Sequence, residues 1–197
     1  MEIRKHIYPA CLITIVLTVL LGIVYPMVVT GLSYLLFKDK AEGSLIIRDG
    51  VVVGSRLIGQ SFAGPGYFHS RPSAAGTGYD ATASNGTNLG PTSNQLLETN
   101  VKSAAAAAQT DNPDAPIPVD LVTSSASGLD PHVSPAAADF QVGRVAKARG
   151  MSEEKVRQIV REHTEGRDFG ILGEPRVNVL ELNLDLDAHH PLHKIGD

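Results

Sequence analysis

The sequence contains a single cysteine, Cys11, and no tryptophan, and only 5% of its 197 residues are aromatic. One cysteine can form neither a disulfide within the chain nor a zinc site built from several thiolates. The net charge of −4 is the wrong sign for electrostatic binding to phosphates, and few rings are available to stack on bases. We therefore predict a protein that binds no nucleic acid.

Motifs for ATP hydrolysis and for metal binding are also scarce. The sequence has neither Gly-x-x-x-x-Gly-Lys-Ser/Thr nor Asp-Lys-Thr-Gly, so it lacks both a phosphate-binding loop and the phosphorylated aspartate of an ion pump. The best metal donors are His189, His190 and His193 near Asp187. Because Pro191 interrupts them in a short tail, they make a poor rigid cage, and we predict no metal site.

Charged residues are absent from one long stretch near the N-terminus. Between Lys5 and Lys38 lie 32 consecutive residues without Asp, Glu, Lys or Arg. About 20 apolar residues cross the hydrocarbon core of a bilayer, whereas the core of a signal peptide has only about 7–15. We predict an N-terminal end at 1–6, an uncleaved transmembrane helix at 7–37 and one soluble domain at 38–197.

Small residues recur at every fourth position of the predicted transmembrane helix. A strip of this kind lets the backbone of another helix approach closely, so it indicates packing against a partner. Its members are Ala10, Thr14, Thr18, Gly22, Pro26 and Thr30. We predict the first four as partner-binding residues.

The soluble domain mixes strand and helix signals, which predicts an α+β fold. Two short strands flank an Arg48-Asp49-Gly50 turn, and helices are expected at 93–109, at 135–149 after the capping residue Ser134, and after Ser152. Residues 119–122 are predicted to be extended. Alternating leucines at 180–186 predict a final strand.

Residues 59–92 contain many glycines and prolines and show almost no periodicity. Aromatic and hydrogen-bonding side chains distinguish this stretch from a disordered linker. We predict an ordered segment that contacts a partner through Tyr67, Phe68, Arg71 and Asn88.

Ser127, Asp130 and His132 lie close together in the sequence and suggest a catalytic triad. The alternative function is therefore a membrane-tethered extracytoplasmic hydrolase that uses Ser127 and His132. Triads are assembled from distant segments, and no nucleophile elbow surrounds this serine. A capped loop, in which Ser and Asp side chains bind nearby backbone amides, is the favoured interpretation.

Several ordered segments resemble the KdpC family, the C subunits of bacterial Kdp potassium-transporting ATPases. Long motifs, including the glycine-rich stretch, make chance similarity improbable. The segments are GSRLIGQSF at 54–62, YFHSRPS at 67–73, YD at 79–80, NLGPT at 88–92, PVDLVT at 118–123, SGLDPHVSP at 127–135, RVA at 144–146 and GEPRVNV at 173–179.

The resemblance implies a non-catalytic subunit in the bacterial inner membrane, with a cytoplasmic N-terminus and an extracytoplasmic C-terminal domain. Its partners would be the potassium-translocating subunit KdpA, the P-type ATPase subunit KdpB, the small subunit KdpF and membrane lipid. Potassium would be the transported ion.

The family is also described as a catalytic chaperone that raises the affinity of the ATPase subunit for ATP. The resemblance carries this nucleotide role onto Gln141, with Ser127 and Gly128. An exposed polar position on a helix is the alternative interpretation of Gln141. An extracytoplasmic domain meets no ATP, so the effect would then be a coupling through the complex.

Overall fold

The computed structural model describes residues 3–192, which divide into two compact units, one ending at Ser55 and one beginning at Arg56. The first unit begins with α1 (Ile3–Val19), a π-helical turn (Leu20–Val24) and α2 (Tyr25–Leu36). These three elements form one apolar helix over Lys5–Leu36 with a mean hydropathy of 2.6, long enough to cross a membrane. The π-helical turn ends just before Pro26, whose ring and missing N–H disturb the regular hydrogen bonds of the preceding turn.

A short helix and a β-ribbon complete the first unit. α3 (Lys38–Ala41) precedes β1 (Leu45–Arg48), which pairs antiparallel with β2 (Val51–Ser55). Asp49 and Gly50 both have positive φ, as the two central residues of a tight hairpin turn require. The predicted hairpin is confirmed, with a bulge between Ile46 and Ile47.

The second unit combines helices with a small antiparallel sheet. Its elements are a π-helical segment (Gln95–Val101), α4 (Lys102–Ala108), a 3-10 turn (Val119–Leu121), β3 (His132–Val133), α5 (Pro135–Arg149), α6 (Glu153–Glu162), β4 (Thr164–Glu165), β5 (Arg176–Asn178) and α7 (Val179–His189). The sheet has the strand order β3-β5-β4. The mixed α and β content agrees with the predicted fold class.

Local signals define both ends of α5 and the start of α6 as predicted. The Ser134 hydroxyl accepts a hydrogen bond from the backbone N–H of Ala137 at 3.2 Å, and α5 ends at Gly150 with φ +65°. Ser152 likewise accepts from the N–H of Lys155 at 3.3 Å. These two helices pack together and contribute many of the buried apolar side chains of the unit.

Two predicted extended segments are wrong. The leucines at 180–186 belong to α7, which is capped by Asn178, whose side chain accepts from the N–H of Glu181 at 3.2 Å. Val179, Leu182 and Leu186 follow helical spacing and are at most 1% exposed, so the same apolar residues satisfy a helical pattern as well as an alternating one. Residues 119–121 form a 3-10 turn that buries Leu121 and leaves Val119 exposed.

Candidate functional site

The segment 59–92 has no helix or strand in the structure, yet buried side chains hold its path. Asn183 of α7 accepts from the backbone N–H of Phe68 and donates to the carbonyl of Phe68, both at 2.8 Å. Gln141 of α5 accepts from the N–H of His69 at 2.7 Å and donates to the carbonyl of His69 at 3.1 Å. Two fully buried amides thus pair with consecutive backbone units, in the way that a neighbouring strand would.

Two arginines of α5 hold the residues just before Phe68. Arg144 donates to the carbonyls of Pro65 and Tyr67 at 2.7 and 2.8 Å, and its Nε lies 2.8 Å from Asp111 Oδ1. Arg149, whose side chain is 0% exposed, donates to the carbonyl of Gly66 at 2.6 Å. Both arginines therefore replace backbone partners that the irregular segment lacks.

The same Arg149 is part of a second set of contacts. Its Nη2 donates to Asp187 Oδ1 at 2.9 Å, and its guanidinium carbon lies 5.1 Å from the centre of the Tyr67 ring. The Tyr67 hydroxyl donates to Asp187 Oδ2 at 3.2 Å. Burial, followed by the charge of Asp187, raises the pKa of Tyr67. The tyrosine therefore remains a neutral hydrogen-bond donor at physiological pH.

Further along, Arg71 connects the segment to the loop at 123–130. Its Nη1 donates to Asp130 Oδ2 at 3.3 Å, and its Nε donates to the carbonyl of Thr123, also at 3.3 Å. Burial by itself would raise the pKa of Asp130, but hydrogen bonds from His132 and the charge of Arg71 outweigh it, so the pKa is lowered. Asp130 is thus a carboxylate held by its neighbours.

Close backbone contact joins the segment to Gly128. The Ser73 hydroxyl donates to the carbonyl of Gly128 at 2.6 Å, and the backbone N–H of Asn85 donates to the carbonyl of Ser127 at 3.0 Å. Gly128 has φ +66°, and a Cβ there would lie 2.6 Å from the carbonyl oxygen of Asn85. Only glycine fits where these two segments of the backbone cross.

A groove of about 600 Å³ opens beside Gln141, between α4 and residues 69–74. Among residues 3–192, its lining includes the charged residue Asp111 and contains no lysine or arginine. Burial, followed by the charge of Arg144, lowers the pKa of His69, so this lining histidine is neutral at pH 7. The groove therefore offers no cation to a triphosphate, the charge that nucleotide sites ordinarily supply.

Comparison with known proteins gives the family. The family model described as "K+-transporting ATPase, c chain" matches residues 7–188. The chain belongs to the KdpC family.

Three similar relatives agree, each named "Potassium-transporting ATPase KdpC subunit". The one from Koribacter versatilis is 61% identical over 96% of this chain and 97% of the relative. Those from Acidobacterium capsulatum and Rhodopseudomonas palustris (strain BisB5) are 55% and 52% identical, over 94% and 93% of this chain and 100% and 97% of the relatives.

For this KdpC-family chain, the three residues predicted for a nucleotide role have different surroundings. Gln141 is 0% exposed, and both atoms of its amide are engaged, with Arg144 and Ala137 as further partners. The alternative interpretation of Gln141 as an exposed helix position is therefore wrong. Ser127 is exposed and Gly128 is buried. No hydrogen bond within residues 3–192 joins either of them to Gln141.

The suggested triad does not form in the described chain. The Ser127 hydroxyl accepts from the backbone N–H of Leu129 at 3.1 Å and lies 3.4 Å from the Ser125 hydroxyl. His132 Nδ1 lies 3.6 Å from Asp130 Oδ1, and no hydrogen bond within residues 3–192 joins His132 to Ser127. The geometry matches the capped loop and does not favour a hydrolase.

The predicted partner-binding residues differ in exposure. Phe68 is 0% exposed, and Tyr67 and Arg71 are partly buried. The side chain of Asn88 donates a hydrogen bond to the side chain of Asn85 at 3.0 Å, and its backbone has φ +52°. The strip residues Ala10, Thr14, Thr18 and Gly22 are all exposed on the apolar helix.

Two further sets of residues bear on the sequence predictions. Asn183, Arg144 and Arg149 were not among the predicted site residues; for Asn183, the available signal was an uncharged polar residue among the leucines of 180–186. Of the tail histidines, His189 pairs with Asp185 at 2.9 Å, and His193 lies outside the described residues.

Proposed function

We propose that this chain is the non-catalytic accessory subunit of an ATP-driven potassium uptake complex. Family membership over residues 7–188 is the observation that carries the proposal. The partners would be a channel-like potassium-translocating subunit and a P-type ATPase subunit, as well as a small subunit and membrane lipid. Potassium would be the ion that the complex transports and would not bind tightly to this chain.

The strip from Ala10 to Gly22 would pack against a helix of a partner subunit. Among the described residues, no neighbouring atom lies within 4 Å of a Cβ built on Gly22, so the position is open to a larger side chain. Gly31 is equally open and lies nine residues further on, about half a turn around an ideal helix. The two glycines therefore form a matched pair for testing the face that the strip occupies.

The test is co-purification of the complex from detergent-solubilised membranes. Gly22→Leu is expected to reduce recovery of the other subunits, because leucine blocks close approach of helix backbones. Gly31→Leu is the control and should leave recovery unchanged. Equal recovery with both variants would remove the strip as the interface. Failure of the unaltered chain to recover any subunit would contradict the proposed function itself.

The segment 59–92 would present Tyr67, Arg71 and Asn88 to a partner beside the potassium entrance. Phe68 has no exposed surface, so its contribution would be to fix the backbone from inside. The clamps by Gln141 and Asn183 support this role, because a segment held in one conformation loses little entropy on binding.

We further propose a cytoplasmic N-terminus and an extracytoplasmic second unit, in which case the subunit would raise ATP affinity by coupling through the complex. The absence of lysine and arginine from the groove beside Gln141 supports coupling over direct contact. Such coupling requires that the chain bind more tightly to the ATP-competent state of the complex.

Thiol labelling in intact cells tests the orientation. Ser127 is exposed, and replacing Cys11 by serine removes the native thiol. The double variant Cys11→Ser, Ser127→Cys is expected to react with a membrane-impermeant maleimide without permeabilisation. Labelling that occurs only after permeabilisation would place the unit in the cytoplasm and contradict the proposed orientation.

A further inference from the structure

Residues 169–172 form an apolar tip on the second unit. Phe169 is 93% exposed, Ile171 77% and Leu172 57%. Single exposed apolar residues are ordinary on protein surfaces, but three large ones within four positions form a patch. These three side chains lie outside the core of the unit. We therefore expect them to contact another molecule.

The backbone holds this tip in one conformation. The N–H of Asp168 donates to the carbonyl of Leu172, and the N–H of Leu172 donates to the carbonyl of Asp168, both at 2.9 Å. Within this closed loop Phe169 has φ +54°. A bulky residue is strained in the left-handed region, where glycine or asparagine would be more stable. Neither the core nor the turn requires phenylalanine at this position.

The charges at the base of the tip are paired with one another. Arg167 lies 2.7 Å from Glu174, and Arg176 lies 2.9 Å from Glu165 and 3.9 Å from Asp168. The three carboxylates and two guanidiniums leave a net charge of −1. Segments that insert into bilayers usually carry lysine or arginine for anionic headgroups. The sign of this charge therefore favours a protein surface over a lipid surface.

We propose that the tip at 169–172 docks into an apolar pocket with a basic rim on another subunit of the potassium-transporting complex, with Phe169 as the central anchor. The inference rests on the proposed function, which supplies the partner. An aromatic ring on a rigid loop fits such a pocket because little conformational freedom is lost on docking. The net negative base complements a basic rim.

The first test uses the full chain co-expressed with the other subunits. Phe169→Asn removes the anchor while asparagine tolerates positive φ, so folding is preserved. Val119→Asn is the control, because Val119 is 65% exposed on the same unit but lies outside the tip. We expect Phe169→Asn to weaken association with the complex by about tenfold, as loss of an interface anchor does, and the control to leave it unchanged.

The second test identifies what the tip contacts. A photoreactive benzophenone amino acid replaces Phe169 in the complex within native membranes, and adducts are identified by mass spectrometry. A cross-link to another subunit of the complex supports the proposal. A cross-link to lipid or to a second copy of this chain, or no cross-link together with unchanged association of Phe169→Asn, overturns it.

The proposed function and this inference fail in different ways. If the unaltered chain associates with the other subunits but the tip neither cross-links to one nor affects association, the inference falls and the proposed function stands. If the unaltered chain associates with no subunit, both fall.

Discussion

The two units of the chain place apolar and polar side chains in opposite ways. Among residues 5–55 the buried ones are two serines, Ser44 and Ser55, while the aliphatic side chains of the apolar helix and most of those in the ribbon are exposed. The second unit buries an apolar core and, within it, the polar side chains of Gln141, Asn183 and Arg149. The first unit therefore depends on lipid or on partners for cover, whereas the second is stabilised from within.

This difference indicates what each unit contributes. An isolated two-stranded ribbon is marginally stable in water, so β1 and β2 are suited to a covered location. In the second unit, buried side chains instead form hydrogen bonds with the irregular segment 59–92, which pairs with no strand in the described part of the chain. That arrangement holds the loop in one rigid conformation.

Arg149→Met should have the largest effect on the stability of the second unit. The substitution removes the hydrogen bonds to Gly66 and Asp187 and leaves a partly buried carboxylate without its cation, a loss of about 3 kcal/mol. Thermal unfolding of the full chain in detergent measures it. Arg161→Met is the control, because Arg161 is 62% exposed in its pair with Glu154. Similar losses in both variants would show that burial of Arg149 does not matter.

Gln141→Ala should cost somewhat less, about 2 kcal/mol, because it leaves the N–H and the carbonyl of His69 without partners inside the unit. Gln158→Ala removes an exposed amide from α6 and serves as the control. The same unfolding measurement applies. If Gln141→Ala lowered the ATP affinity of the complex without lowering stability, the clamp would not be the role of this glutamine.

Acid should weaken the link between Arg71 and Asp130 in a predictable direction. Since the folded-state pKa of Asp130 lies below its ordinary value of 3.8, its carboxylate stabilises the fold fully above that value, and the contribution disappears as pH falls through the lowered pKa. Asp130→Asn should therefore be less stable at neutral pH and lose less stability between about pH 5 and about pH 3. Asp114→Asn, an exposed site, is the control. Parallel pH profiles for Asp130→Asn and the unaltered chain would refute the link.

Ile47→Ser should have the smallest effect on stability, because Ile47 is 62% exposed in the ribbon. Without partners the change in unfolding free energy should stay within about 0.5 kcal/mol, as for other surface sites. Ile159→Ser is the comparison, since Ile159 is 3% exposed and should cost several times more. A large loss from Ile47→Ser in the isolated chain would mean that the first unit has a core after all.

Sequence signals predicted the elements whose stability is local. The apolar helix, the Asp49-Gly50 hairpin and the capped starts of α5 and α6 depend on composition, turn residues and caps, and the structure contains all of them. The alternating pattern gave a wrong prediction at α7. Val179, Leu182 and Leu186 fit a helical period, but the leucines at 180, 182, 184 and 186 also alternate as in a strand. Which period applies depends on what lies opposite, and sequence does not contain that information.

The candidate site was predictable only in outline. Segment 59–92 could be predicted to be ordered from its rings and polar side chains, but its clamps come from residues more than 70 positions away, such as Gln141 at His69 and Asn183 at Phe68. The exposed tip at 169–172 gave no sequence signal, since Phe169, Ile171 and Leu172 read equally well as core residues.

The sequence by itself determined that the chain has one apolar helix suited to a membrane, a mixed α and β second part, and membership of a potassium-transport subunit family. Only the tertiary structure decided that Gln141 is a buried clamp and that Phe169 faces outwards. The physical reason is that composition, caps and turns act over a few residues. Burial and hydrogen-bond partners, in contrast, depend on which distant segments the fold brings into contact.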